Sequence, residues 1–144
     1  MVDLSKHFKN SIIIDWLTFS SKLFNENSII KFLGMSGITW KHEFGSKLRY
    51  QKRMIFQHIQ IHYTDSVSEN KYNPGICVEM SGQGCREFES FSNIDWSVLL
   101  RSICALDQYN ISRIDFAYDD FDNLLPMSQI VKQIVKIIIS KIYT

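Results

Sequence analysis

Alternation of apolar and polar side chains constrains the fold of this chain more than any other feature of its sequence. Residues 112–120 alternate strictly, with Ile114, Phe116 and Tyr118 at the apolar positions. Because successive side chains of a strand point to opposite faces, this pattern predicts a strand that turns these three residues toward a core. Residues 11–20 are rich in β-branched and aromatic side chains and predict another strand, buried on both faces. The chain is therefore predicted to be organised around a sheet.

Turn-forming residues divide the middle of the chain into further strands. Residues 39–63 are predicted to form consecutive strands, with one turn at Gly45-Ser46 and a weaker turn signal at Gln51-Lys52. A polar segment at residues 64–75 predicts a loop, and the strand after it is predicted at residues 76–80.

Three helices are predicted from the helical spacing of apolar residues. They span residues 25–35, residues 95–109 and the segment after Pro126. The residues predicted to begin them are Asn25 or Asn27, Asp95 or Asn93, and Pro126 with Ser128. The resulting order, β-α-β-β-β-α-β-α, predicts the α+β class, with a mainly antiparallel sheet and helices packed on one face.

The apolar residues of the last predicted helix cover more than one side of its surface. A helix of this kind needs partners on several sides, so it packs in a dimer or is covered by further parts of a longer chain. The 144 residues have the size of one domain. Residues 1–144 are therefore predicted to be a single domain that either packs as a dimer or is a fragment of a longer protein.

The formal net charge of +1 excludes a uniformly basic nucleic-acid coat, but it conceals a segregation of charge. Residues 41–53 carry five basic residues against one acidic residue, which gives +4. Residues 107–122 carry five acidic residues against one basic residue, which gives −4. The two segments are predicted either to have two different local functions or to be two solvated faces that offset each other.

The three cysteines form neither a disulfide framework nor a Cys-x-x-Cys zinc motif, which favours a reducing, cytoplasmic location. No apolar stretch reaches the roughly 18 residues of a transmembrane helix, so no membrane association is expected. Cys85 lacks the pattern of a nucleophile and is predicted to be structural.

Asp115 and Asp119 are the candidate metal ligands of the acidic segment. On an ideal strand their Cβ atoms lie roughly 13 Å apart, so one ion cannot bridge both without a bend or another strand. One of them, with ligands from elsewhere, could hold a hard divalent cation. The alternative is an exposed face on which Arg113 pairs with Asp115, followed by a turn at Asp119-Asp120.

The basic segment gives a second candidate site. Lys47, Arg49, Gln51 and Arg53 share one face if the strand is continuous, and nearby aromatic residues could stack on bases. An edge strand protected by charge is the competing interpretation.

Two further patterns remain open. His58, Gln60 and His62 are predicted to share one face, either as metal ligands or, more simply, as a solvated surface. The glycines of Ser81-Gly82-Gln83-Gly84 could expose amides to a phosphate, although a P-loop lysine is missing.

Three motifs occur in order: Ile14-Asp15-Trp16-Leu17-Thr18-Phe19-Ser20, Glu79-Met80-Ser81-Gly82-Gln83-Gly84-Cys85, and Arg113-Ile114-Asp115-Phe116-Ala117-Tyr118-Asp119-Asp120-Phe121. Asp95-Trp96 lies between the second and the third. The ordered set resembles the replication initiation factor family, the phage and plasmid rolling-circle initiators related to conjugative-transposon relaxases.

The resemblance implies a variant of the HUH-nuclease core and an endonuclease in which a tyrosine becomes joined to the 5′ phosphate of origin DNA. It also implies a divalent cation, Mg²⁺ or Mn²⁺, with acidic residues in the metal role; Asp115 would be the first ligand and Asp119 the second. The family tyrosine lies well beyond the acidic strand. Tyr118, predicted to lie in the core, and Tyr143 are therefore not assigned as nucleophiles, and no catalytic residue is predicted.

The leading hypothesis is the N-terminal domain of a rolling-circle initiator that binds origin DNA and supplies part of a metal-dependent nicking site. Origin DNA, single-stranded or hairpin, is the expected partner, with a replicative helicase and a second copy of the chain as further candidates. The predicted DNA-binding residues are Lys47, Arg49, Arg53 and Arg113. The alternative is a non-catalytic DNA-binding, regulatory or dimerisation module.

Overall fold

A computed structural model describes residues 11–47, 49–64, 74–120 and 122–142. It contains six strands and four helices among these residues. The strands are β1 (Ser11–Ser21), β2 (Lys41–Phe44), β3 (Lys52–Phe56), β4 (Ile59–Tyr63), β5 (Ile76–Met80) and β6 (Tyr109–Asp119). The helices are α1 (Glu26–Phe32), α2 (Gly82–Phe91), α3 (Trp96–Cys104) and α4 (Met127–Ile142).

The strands form one sheet in the order β2-β3-β4-β5-β1-β6. Pairing is antiparallel from β2 through β5 to β1, as the antiparallel prediction requires. The chain divides into two compact units, Ile14–Phe116 and a second one made of Met1–Ile13 with Ala117–Thr144.

The core of the Ile14–Phe116 unit lies between one sheet face and helices α1, α2 and α3. Its fully buried side chains come from alternate strand positions and from one side of each helix. The largest of them are Phe19, Phe88, Leu17, Ile29, Leu33, Met35, Met54, Ile59, Ile61, Met80, Leu99 and Ile103. The predicted α+β class with helices on one sheet face is thus confirmed for this unit.

Capping residues begin the helices where the sequence predicts. The Asn25 side chain accepts hydrogen bonds from the amides of Asn27 and Ser28 and completes a capping box that begins α1. Asp95 accepts from the Val98 amide at 2.9 Å and begins α3. The second predicted helix is shorter than expected, because α3 ends at Cys104 and β6 already begins at Tyr109.

The predicted element order is wrong at two places in the Ile14–Phe116 unit. Residues 39–63 form three strands, and the turn between β3 and β4 lies at Gln57, whose φ of 50° is in the left-handed region. Residues 82–91 form helix α2, begun by Ser81, which accepts a hydrogen bond from the Gly84 amide. Both glycines of Ser81-Gly82-Gln83-Gly84 therefore belong to a helix.

The core prediction for β6 is only partly correct. Ile114 packs against the core, whereas the side chains of Phe116 and Tyr118 are 62% and 41% exposed. Ile111 also contacts the core although it lies three residues from Ile114, so strict alternation does not hold along β6. The strand is at the edge of the sheet, where it has a neighbouring strand on one side only.

The second unit, within its described residues, contains α4 and the turn that precedes it. The Asp120 carboxylate accepts hydrogen bonds from the amides of Leu124 and Leu125, both at 2.8 Å, and so stabilises the predicted turn. Val131 and Val135 of α4 are about half exposed. No helix among the described residues is long and apolar enough to cross a membrane.

Candidate nucleic-acid interface

The sheet face turned away from the core is predominantly polar. Residues directly opposite in antiparallel register have side chains on the same face, with Cβ atoms about 5 Å apart. The register therefore forms two rows across this surface, which we call the polar face. The first row is Lys41, Ile55, Gln60, Glu79 and Thr18, and the second row is Glu43, Arg53, His62, Cys77 and Ser20.

Lys47 contacts the middle of the polar face. It lies in the loop between β2 and β3, and its Nζ donates to both carboxylate oxygens of Glu79 at 2.8 and 2.6 Å. The Lys47 side chain is 58% exposed, whereas that of Glu79 is 17% exposed. This ion pair anchors the loop to β5 and places a cation above the sheet.

His62 is buried beneath the same loop. Its Nδ1 is 2.5 Å from the Ser46 hydroxyl, and the Tyr50 ring lies 6.1 Å from the imidazole centre. Its Nε2 is buried without a hydrogen-bond partner among the described residues. Burial lowers the pKa of His62, an effect that Lys47 and Arg53 reinforce and nearby Glu79 opposes. The ring is therefore held in its neutral form at neutral pH.

Trp16 and Arg113 form a stacked pair on the polar face. The Arg113 guanidinium lies 4.0 Å from the Trp16 ring centre, and the Trp16 Nε1 donates to the Thr18 hydroxyl at 2.9 Å. Arg113 also donates to both oxygens of Asp115, with a shortest distance of 2.6 Å. These bonds hold the pKa of Asp115 below its usual value. The alternative interpretation of the acidic strand, an Arg113–Asp115 pair, is thus observed.

The basic segment, residues 41–53, does not form one continuous strand face, because the chain leaves the sheet between Phe44 and Lys52. Arg53 remains on β3, where it donates to one Glu43 oxygen at 3.0 and 2.7 Å and to Gln60 at 3.3 Å. Arg49 lies in the loop, and its carbonyl accepts from the Thr64 hydroxyl at 3.5 Å. Of the three predicted DNA-binding residues of this segment, Lys47 and Arg49 therefore lie in the loop and Arg53 lies on β3.

His58 does not share a face with Gln60 and His62, contrary to the prediction. It lies in the turn before β4, where its amide and its Nδ1 contact the two Glu87 oxygens at 2.8 and 2.6 Å. Glu87 belongs to α2 and is 7% exposed. The turn is thus fastened to the helix layer, and His58 is a structural contact.

The glycine motif is also a packing motif. A Cβ at Gly84 would lie 2.6 Å from the His58 carbonyl oxygen, and one at Gly82 would lie 2.7 Å from the Asp15 carboxylate. Arg86 donates to the Ile14 carbonyl, and Cys85 is buried with its pKa raised to about 11 by that burial. The motif therefore joins α2 to β1 and to the turn before β4, and the structural prediction for Cys85 is confirmed.

The two predicted metal ligands lie in different compact units, Asp115 in the first and Asp119 in the second. No group of three or more His, Cys, Asp or Glu side chains that could hold a metal ion occurs among the described residues. Asp115 is moreover bound by Arg113 through both oxygens. These residues do not by themselves fit a complete divalent-cation site.

Two residues of the polar face were quoted in the sequence motifs but assigned no role. Glu79 occupies the outward position of β5, between the buried residues Val78 and Met80, and Trp16 precedes the buried Leu17 on β1. The burial alternation of these strands is the signal that identifies both as residues of the polar face.

The architecture defines an α+β domain with helices on one face of an antiparallel sheet and an array of charged and aromatic side chains on the other. Residues 11–102 match the family model of the Rolling Circle replication initiation protein N-terminal domain. The chain belongs to this family.

A solved structure from Geobacillus stearothermophilus, described as a rolling circle replication initiator protein, has 26% sequence identity and a TM-score of 0.70. The alignment covers 89% of this chain and 51% of that protein, so the chain spans about half the length of its relative. The match confirms the predicted HUH-like core. A comparison with curated proteins found no match.

Proposed function

We propose that this N-terminal domain of a rolling-circle replication initiator contacts origin DNA through the polar face. The observation that carries the proposal is the Trp16–Arg113 stack next to the Lys47–Glu79 pair, because it combines a flat aromatic surface with cations. Aromatic rings stack on exposed bases, and cations neutralise phosphates. A single-stranded or hairpin segment of the origin supplies both kinds of group.

Binding of a fluorescent single-stranded origin oligonucleotide, measured by anisotropy at several salt concentrations, tests this proposal. Arg113→Gln is expected to weaken binding and to reduce the slope of log K against log salt by about 0.7, the value of one phosphate contact on a single strand. Arg101→Gln is the matched control, since it removes the same charge from an exposed position of α3. Equal binding by both variants and the native protein would remove Arg113 from the interface.

A divalent cation, Mg²⁺ or Mn²⁺, is also proposed, but its binding requires further ligands in addition to Asp115 and Asp119. Each of these residues offers one carboxylate, and a nicking site needs further donors. We assign no nicking step to residues of this chain. A replicative helicase and a second copy of the chain remain proposed partners.

Broadening of amide resonances by Mn²⁺ tests the metal prediction. Asp115→Asn and Asp119→Asn are each expected to reduce broadening near the substituted residue, whereas Asp107→Asn, at an exposed position before β6, should not. The same pattern of broadening in all three variants would exclude both aspartates as ligands.

A further inference from the structure

A polar cleft of about 350 Å³ lies where β1 ends, β6 begins and the loop before β3 passes the sheet. The residues of its lining that matter chemically are Ser20, Lys22, Arg49, Tyr50, Tyr109 and Asn110. Arg49 is one of the predicted DNA-binding residues, whereas the other residues of the lining have no predicted role. Its volume falls at the lower end of clefts that enclose a small molecule.

The lining combines cations with flat aromatic rings. Lys22 and Arg49 supply positive charge, Tyr50 and Tyr109 supply rings, and Asn110 supplies an amide. No carboxylate occurs among the described residues that line the cleft. The cleft therefore favours an anion that also carries a flat ring.

The floor of the cleft is built by specific contacts. The Ser21 hydroxyl is buried, donates to the Gln108 carbonyl at 2.6 Å and accepts from the Leu23 amide at 3.2 Å. Gly75 has a φ of 76°, and a Cβ there would lie 2.3 Å from the Ser21 carbonyl oxygen. These contacts tie the end of β1 to the start of β6 and to the segment before β5, so the cleft is shaped before a ligand binds.

The cleft lies along the same face as the Trp16–Arg113 stack. Ser20 and Trp16 are four residues apart on one side of β1, about 13 Å at the usual rise of a strand. A few nucleotides of a single strand span this distance, since consecutive phosphates of even a stacked strand are about 3.4 Å apart along the axis. One strand can therefore contact both places.

We propose that this cleft holds one unstacked nucleotide of single-stranded DNA, with its phosphate at Lys22 and Arg49 and its base against Tyr109 or Tyr50. A base inside a duplex is stacked and paired and cannot enter such a site. The cleft thereby gives the domain a preference for melted DNA over duplex DNA. The choice of DNA as the polymer rests on the proposed function, whereas recognition of the nucleotide rests on the cleft.

Titration of the ¹⁵N-labelled 144-residue chain with dTMP, and separately with inorganic phosphate, tests the cleft without an oligonucleotide. Amide shifts at residues 20–22 and 108–110 are expected with dTMP, at an affinity at least fivefold above that for phosphate, because the base adds stacking. Shifts that are equal for both ligands, or that lie elsewhere, would overturn the proposal.

Matched variants assign the two roles. Tyr109→Ala is expected to weaken dTMP binding at least fivefold, whereas Tyr109→Phe, which keeps the ring, should bind dTMP within about twofold of the native chain. Tyr118→Ala is the control, because it removes another exposed tyrosine of β6. Arg49→Gln should weaken both dTMP and phosphate. Thermal unfolding of each variant verifies its fold, and unchanged dTMP binding by folded Tyr109→Ala and Arg49→Gln would refute the site.

A (dT)₁₀ strand separates this inference from the proposed function. Binding of dTMP in the cleft without binding of (dT)₁₀ or origin strands would leave the nucleotide site and remove the DNA-binding role. Binding of origin strands with full affinity by Tyr109→Ala and Arg49→Gln, without dTMP shifts in the cleft, would leave the DNA-binding role and remove the site.

Discussion

Glu79→Gln is expected to increase the affinity of the domain for single-stranded DNA, although it removes an ion pair from the structure. In the native protein the Lys47 ammonium is bound to both Glu79 oxygens, so a phosphate must compete with a carboxylate for it. The substitution leaves the Lys47 cation above the sheet and removes its competitor.

The magnitude follows from the geometry of the pair. Exposed ion pairs contribute about 0.2–1 kcal/mol, and the higher value applies here because Glu79 is largely covered and both of its oxygens are used. Release of about 1 kcal/mol to a phosphate contact corresponds to about fivefold tighter binding. The salt dependence should steepen by about 0.7 in the slope, because one more phosphate is neutralised.

A double-mutant cycle separates release of Lys47 from simple loss of negative charge. Anisotropy titrations compare Glu79→Gln, Lys47→Gln and the double variant, with Glu89→Gln on α2 as the control for overall charge. In the Lys47→Gln background, Glu79→Gln should give only the small gain that Glu89→Gln gives. Weaker DNA binding by Glu79→Gln, or the same gain with and without Lys47, would refute competition as the role of this pair.

Four further outcomes are expected. Glu87→Ala should lower the free energy of unfolding by about 2–4 kcal/mol in urea titrations, because two hydrogen-bond donors lose a charged acceptor; a loss below 0.5 kcal/mol would contradict a fastening role. Gly84→Ala should destabilise the fold by about 1–3 kcal/mol, since its Cβ meets a backbone carbonyl, whereas Gly37→Ala, with open space around it, should be tolerated. Because the pKa of His62 is lowered in the folded state, the contribution of this residue to stability is present above pH 6.5 and is lost as the pH falls. The loss amounts to at most about 1.4 kcal/mol per pH unit. In a plot of Tm against pH, His62→Gln should therefore show a smaller decrease on the acid side. Because the pKa of Cys85 is raised to about 11, its contribution to stability is present below pH 9 and falls by roughly 2 kcal/mol between pH 9 and 11. Cys85→Ala should lack this loss in unfolding experiments at alkaline pH.

Local signals predict much of this fold. Caps at Asn25 and Asp95 and the alternation in residues 76–80 identify elements that the structure contains, because each signal depends on neighbours in sequence. Helix α2 and the turn at Gln57 were not predicted, because neither has a signal in its neighbouring residues. The α2 glycines favour loops in isolation and are required by close packing against His58 and Asp15, while glutamine gives no signal for a left-handed turn.

The candidate site was less predictable than the fold. The sequence identifies Lys47, Arg53 and Arg113 as cations, but their partners Glu79, Glu43 and Asp115 follow from strand register and loop path. Only the Arg113–Asp115 pair could be predicted from the sequence, because its two residues lie two positions apart on one strand. The cleft needs β1, β6 and a loop to meet, and no local pattern encodes that meeting.

The edge position of β6 has a consequence for the behaviour of this domain in concentrated solution. An edge strand presents unpaired backbone amides and carbonyls to a strand of another molecule. The exposed side chains of Phe116 and Tyr118 would stabilise such an intermolecular contact by burying apolar surface. The charged residues Arg113, Asp115 and Asp119 interrupt the apolar positions of β6 and oppose stacking of like strands. Their charges therefore act as gatekeepers against aggregation, independently of any contact with DNA.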